Sequence, residues 1–120
     1  MGFKLGNVDN KASLIFNNEY YLLSEISNGK LTDNMDDILH SIDVIEELYS
    51  NIEEFEASGL LKNVKLGPPV TNSNNCFAVG LNYRNHAEES AMEIPPFPMI
   101  FTKHTTCICG PYDDIEMRSD

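Results

Sequence analysis

The chain contains no tryptophan and only eight lysines and arginines against 19 aspartates and glutamates, giving a formal net charge of −11. Nucleic-acid binding needs a cationic footprint to displace phosphate counterions, and none is present. Anionic membrane surfaces are disfavoured for the same reason. Long apolar runs are also missing, so no segment reads as membrane-spanning. The opening Met1-Gly2-Phe3-Lys4-Leu5-Gly6-Asn7 lacks the apolar core of a signal peptide, and Gly6 stands where a myristoylation signal has Ser or Thr. Three cysteines, an odd number, argue against a disulfide framework and fit a reducing compartment. A soluble, cytoplasmic protein is the expectation. An anionic small molecule is not excluded, because a metal ion or one focused lysine reverses the field locally.

What the chain does have is enough apolar mass for a core. Its 120 residues are 42% hydrophobic, with six Phe and five Tyr, which places it among globular proteins. Residues 1–33 read as short strands. Ala12–Phe16 and Glu19–Leu23 flank Asn17-Asn18, a pair that tolerates the positive φ values of a tight hairpin. Asn28-Gly29-Lys30 is a further turn signal. A helix is expected over Met35–Ala57, where Ile38, Ile42, Ile45, Tyr49, Ile52 and Phe55 recur at spacings of three or four, with Leu39 and Leu48 widening the stripe. Asn34 is a candidate N-cap and Gly59 a candidate stop. Residues 34–58 hold eight acids and no Lys or Arg, most simply a solvated helix face. Leu66-Gly67-Pro68-Pro69-Val70 forms a seam, since Pro-Pro neither continues a helix nor donates to a sheet. The expected organisation is an α+β unit over 1–69 and a second domain beginning at 70 and running to 120.

After the seam the residues turn β-like. Strands are expected at Cys76–Val79, Pro98–Thr102, Thr105–Cys109 and Ile115–Met117, with a helical turn around Asn82–Glu89. Within that turn His86 and Glu89 are three residues apart and share a face. A carboxylate that fixes the tautomer of an imidazole raises the basicity of its other nitrogen, which suits a general base; the plainer alternative is an incidental surface pair. Lys103 follows an apolar strand, either as a partner for a carboxylate or as a solvated edge device. Asn82 reads as a cap for the next helix, Tyr83 as a packed ring, and Gly80 as a site of close backbone approach. His104, Cys107 and Cys109 offer soft ligands, but strand alternation separates His104 from the two cysteines and no second Cys/His pair closes a zinc site. Buried, inert thiols are expected there and at Cys76.

The stretch Gly80-Leu81-Asn82-Tyr83-Arg84-Asn85-His86-Ala87-Glu88-Glu89, the loop Pro95-Pro96-Phe97-Pro98 and the strand ending Phe101-Thr102-Lys103 resemble the fumarylacetoacetate hydrolase superfamily. The matching positions are Gly80, Asn82, Tyr83, His86, Glu89, Phe101 and Lys103, followed by Gly110-Pro111 and Asp114-Ile115. About 40 residues carry the resemblance. His104 departs from it, standing where the family commonly has proline, and the chain reaches Asp120 before a Glu-x-Glu metal-binding segment.

The resemblance implies a β-rich catalytic domain opening after residue 70, in the N-terminal portion of a longer enzyme that forms a homodimer. It implies His86 and Glu89 as a water-activating dyad, with Lys103 and Tyr83 on the substrate side. It further implies Mg²⁺ or Mn²⁺ on carboxylates absent from this chain, and a short 2-oxo acid as substrate. Hydrolysis of a C–C bond, isomerisation, hydration and decarboxylation all remain open, and the 120 residues alone are expected to be inactive. The non-enzymatic alternative is an acidic binding or assembly module complete at Asp120.

Overall fold

The computed structural model describes residues 2–117 and shows a mixed α/β protein built on antiparallel sheets. It separates into two compact units, residues 2–71 together with 108–117, and residues 72–107.

The first unit begins with three strands, β1 (Lys4–Val8), β2 (Lys11–Phe16) and β3 (Glu19–Leu22), joined by two tight hairpins. Both connections are two-residue turns with positive φ throughout: Asp9 and Asn10 at 49° and 64°, Asn17 and Asn18 at 49° and 65°. Asn and Asp tolerate that conformation, whose twist matches the flanking strands. The Asn17-Asn18 hairpin is where the sequence placed it. Asn28 and Gly29 also turn with positive φ.

After β3 come the short helices α1 (Leu23–Ile26) and α2 (Met35–Ile38), then α3 (Ile42–Ser50). Two brief strands complete the sheet: β4 (Gly59–Leu60) on β3 and β5 (Leu66–Gly67) on β1, in the order β4-β3-β2-β1-β5. The helices cover one face of that sheet. Leu14 from β2, Leu23, Ile38 and Ile45 are fully buried in one cluster with Ala12, Tyr21, Met35 and Ile52. Each large aliphatic side chain so buried contributes about 1.5–3 kcal/mol relative to exposure.

The single helix expected over Met35–Ala57 is instead three pieces: α2, α3 and a 3₁₀ turn at Ile52–Glu54. Asn34 does cap, its Oδ1 accepting from the Asp36 amide at 2.8 Å. The first break falls at Leu39–Ser41, where the His40 and Ser41 amides bond back three residues to Asp37 and Ile38. At the second, Ser50 Oγ donates to the Glu46 carbonyl and Asn51 Nδ2 to the Glu47 carbonyl. Polar side chains that bond the backbone locally compete with helix continuation in this way. Gly59 is therefore no helix stop but a strand residue paired with Tyr20.

The breaks also rotate the apolar stripe. Ile45 and Ile52 are buried at 0% and 4% exposure, whereas Ile42 at the head of α3 is 37% exposed and Leu39 47%. The spacing that puts Ile42 on one stripe with Ile45 and Ile52 predicts a core residue there, and the structure corrects it.

The second unit holds β6 (Cys76–Gly80), α4 (Arg84–Glu89) and β7 (Met99–Lys103), with β6 and β7 paired antiparallel. Two of the expected strands are not strands. Thr105–Cys107 is a 3₁₀ turn and Ile115–Met117 has no regular structure. Thr, Cys and Ile favour strands only where a neighbouring strand completes the ladder, and neither segment pairs with one.

Residues 108–117 lie on the first unit. The Gly110 amide donates to Asp113 Oδ2 at 2.8 Å, and Asp113 Oδ1 pairs with Lys65 Nζ at 2.8 Å. A Cβ at Gly110 would sit 2.5 Å from the Leu66 carbonyl oxygen, so only glycine fits.

Ile45→Asp should lower the stability of the chain by more than about 4 kcal/mol, because it buries an unpaired carboxylate. Ile42→Asp should cost far less, within about 1 kcal/mol, as for other exposed sites. Urea denaturation followed by circular dichroism distinguishes the two. Equal losses would contradict the broken-helix arrangement.

The Asp113 carboxyl is held below the ordinary carboxylate range, first by Lys65 and then by the Gly110 amide. A depressed carboxylate contributes fully above its unfolded pKa, and the contribution is lost as pH falls through the lower folded value. The Gly110 amide resonance should therefore titrate below the ordinary carboxylate range, and should not titrate in Asp113→Asn.

Candidate active site

Strand β6 delivers the chain to a turn at Gly80–Asn82, from which α4 starts. Gly80 closes the β6–β7 pair opposite Met99. A Cβ at Gly80 would meet Met99 Cε at 3.3 Å and Phe101 Cε1 at 3.4 Å, so the expected close approach is to neighbouring side chains. The left-handed residue is Leu81, at φ 50°.

Helix α4 has six residues and carries both His86 and Glu89. Its N-cap is Tyr83, which makes no side-chain capping bond, so Asn82 does not cap as expected. Tyr83 is 74% exposed rather than packed. The helix is anchored by Ala87, 1% exposed, while His86, Glu88 and Glu89 face solvent.

Its end is a Schellman motif. The Met92 amide donates to the Ala87 carbonyl at 3.0 Å and the Ala91 amide to the Glu88 carbonyl at 3.1 Å. The left-handed position is filled by Ala91, at φ 51°, where glycine is usual. No turn residue in the sequence announces either Leu81 or Ala91.

Four candidate residues thus fall in the second unit, in two places. Tyr83, His86 and Glu89 cluster on and beside α4, His86 donating its amide to the Tyr83 carbonyl at 3.1 Å. Among the described residues no hydrogen bond joins the His86 and Glu89 side chains. Lys103 ends β7 opposite Cys76. That is four residues from the Gly80 end of the hairpin, roughly 13 Å along the strand at 3.3 Å per residue. Its ammonium lies over the Phe101 ring, 5.4 Å from the centroid, an i,i+2 pair on one sheet face.

Between the Gly80–Asn82 turn and the Pro95–Pro98 loop is a cleft of about 190 Å³. A second, of about 240 Å³, lies beside Cys76, Lys103 and His104.

Among the described residues, no group of three or more His, Cys, Asp or Glu side chains gathers at metal-ligand spacing. The described residues therefore do not fit an Mg²⁺ or Mn²⁺ site. The three thiols are not the buried ones expected: Cys76 is half-buried, and Cys107 and Cys109 are exposed. Thr105–Cys107 being a 3₁₀ turn, the strand alternation invoked for His104 and the cysteines does not apply.

On this antiparallel α/β frame one short helix presents a histidine and a glutamate to solvent. No protein-family model matches the chain. Curated relatives do, over short segments. A fumarylacetoacetate hydrolase domain-containing protein 2 homolog of Dictyostelium discoideum is 40% identical over 55 residues, 46% of this chain and 18% of that protein. The mitochondrial oxaloacetate tautomerase Fahd2a of Rattus norvegicus is 45% identical over 47 residues, 39% of this chain and 15% of that protein. Among solved structures, a protein designated HpcE from Mycobacterium smegmatis aligns over 96% of this chain and 40% of its own, with a TM-score of 0.75 and 26% identity.

Over those segments the chain is similar to fumarylacetoacetate hydrolase domain proteins, and its matches span less than a fifth of the curated relatives' length.

Ala91→Gly should stabilise the chain by up to about 1 kcal/mol, since a left-handed residue with a Cβ costs roughly 1–2 kcal/mol and glycine's added unfolded entropy offsets part of it. Ala91→Val should destabilise it. Denaturation midpoints of the three proteins check the order, and a less stable glycine variant would contradict the assigned helix end.

Proposed function

We propose that this chain is the N-terminal portion of a fumarylacetoacetate hydrolase-like enzyme acting on short 2-oxo acids, with its catalytic domain opening in the second unit. The observation that carries the reading is the placement of His86 and Glu89 one helical turn apart on solvent-facing α4. The relatedness to fumarylacetoacetate hydrolase domain proteins supports it.

In this reading His86 is the proton carrier and Glu89 orients it. A neutral imidazole takes a proton from the carbon next to the 2-oxo group and returns it to the resulting enolate oxygen, which is tautomerisation. In C–C hydrolysis the same base takes a proton from water, which adds to a carbonyl. The adjacent C–C bond then breaks, the carbonyl carbon leaves as a carboxylic acid, and the departing enolate takes back the proton held on His86. The rat relative is an oxaloacetate tautomerase, so oxaloacetate is the first probe. Lys103 and Tyr83 serve substrate binding, Lys103 as a cation for a carboxylate. Mg²⁺ or Mn²⁺ belongs to the proposal only as a component whose ligands are to be sought outside the described residues. Cytoplasmic location and a homodimeric enzyme complete the reading. Among the described residues, no helix is long and apolar enough to cross a membrane.

Measured in the full-length enzyme that this reading requires, His86→Ala and Glu89→Ala should each lower kcat by roughly a hundredfold or more. The double variant should lose little beyond the worse single one, because the two act as a unit. Glu88 points about 100° from Glu89 around the helix, and Glu88→Ala should be near neutral. Full activity in His86→Ala would remove the dyad from the mechanism, and equal damage from Glu88→Ala would show the helix face to be misassigned.

A further inference from the structure

The first unit carries a cleft of about 610 Å³ that the proposed chemistry does not use. Its walls are three aromatic rings from three elements: Phe3 just before β1, Phe16 at the end of β2 and Tyr49 in α3. The Tyr49 ring lies between the other two, 6.2 Å from Phe3 and 6.0 Å from Phe16 centroid to centroid, tilted at 52° and 82°. All three are half-buried, backed by the core cluster and open to the cleft.

The remainder of the lining combines Ser50, Asn51 and Ile52 with three carboxylates. Glu46 from α3, and Glu53 and Glu54 from the following 3₁₀ turn, contribute to it, and no lysine or arginine does. Among the described residues, none of these three carboxylates is paired with a base. No Lys or Arg occurs in the sequence between Lys30 and Lys62.

Aromatic faces carry negative electrostatic potential and attract cations within about 6 Å of the ring. Three exposed carboxylates on the same cleft add to that potential. Rings supply contact area at low entropy cost, because each has only two rotatable side-chain bonds. The volume lies in the range of about 300–1,000 Å³ typical of small-molecule sites.

We propose that this cleft binds a small organic ammonium ion carried on an apolar body. The apolar part lies against Phe3, Phe16 and Tyr49, and the ammonium lies toward Glu46, Glu53 and Glu54. An anionic 2-oxo acid is the wrong charge for it, so the site is independent of the His86–Glu89 reading and stands or falls separately.

The test titrates the full chain with phenethylammonium and, in parallel, with phenethyl alcohol, its uncharged analogue, following the ring resonances of Phe3, Phe16 and Tyr49. The ammonium should bind saturably and roughly tenfold more tightly than the alcohol, a preference consistent with cation–π attraction plus the carboxylates. The preference should shrink as salt rises, because the carboxylates are solvent-exposed and screened. Tyr49→Leu should abolish binding. Since that change also touches the core, the decisive variant is Glu53→Gln with Glu54→Gln on the exposed turn, which should erase most of the preference while the fold is retained. Equal affinity for the alcohol, no saturable shift of the three rings, or an unchanged preference in the double glutamine variant would each overturn the proposal.

Discussion

One apolar sheet face in the first unit must be covered, and most of that unit follows from how it is covered. Leu14 and Ala12 project from β2 into the cluster that Ile38, Ile45 and Ile52 complete from the other side. These isoleucines are seven residues apart, close to two helical turns, so a straight helix could have aligned them. The chain instead uses three short helical pieces, with Asn34 capping the first and Ser50 and Asn51 bonding the backbone at the second break. Burial selects which apolar residues turn inward, and local polar bonds decide where each helix ends. Because the acidic residues of this segment lack nearby bases, side-chain ion pairs do little to hold a single long helix.

The second unit rests on different physics. A two-stranded sheet is marginal in water unless its faces are covered, and β6–β7 exposes Phe77, Val79, Ile100 and Phe101. Helix α4 is short, and its order comes from local devices, the buried Ala87 and the Schellman bonds at its end. Its left-handed positions fall on Leu81 and Ala91, residues with no preference for that conformation. Strain in non-glycine residues beside candidate catalytic groups recurs at functional sites, where surrounding structure over-determines the backbone. Here Leu81 precedes and Ala91 follows the six-residue helix that carries His86 and Glu89.

Charge separates the two candidate sites chemically. The aromatic cleft of the first unit lies in the acidic half of the sequence, where a cation is the complementary ligand. The second unit sets Arg84 and Lys103 against Glu88, Glu89 and Glu93, so its formal charge is close to balanced. A net charge of −11 therefore does not describe either site by itself.

Several features were legible in the sequence because they depend on neighbours along the chain. Asn17-Asn18 made a tight hairpin turn since Asn tolerates positive φ, Asn34 capped a helix, and Ile45 and Ile52 were core by spacing. The strand–turn–helix order around His86 was equally local, and so was the wording that links the chain to fumarylacetoacetate hydrolases. Other features required the tertiary structure. Ile42 leaves the core because the helix breaks before it, and Gly59 pairs in a sheet rather than ending a helix. Thr105–Cys107 and Ile115–Met117 have strand-like composition but no neighbouring ladder. The return of Gly110 and Asp113 to Lys65 and Leu66 spans more than 40 residues, beyond any local signal. The grouping of Phe3, Phe16 and Tyr49 likewise arises only when β1, β2 and α3 pack together. Local conformational preference was encoded in short stretches, whereas pairing, register and cavity shape were decided by contacts between distant parts of the chain.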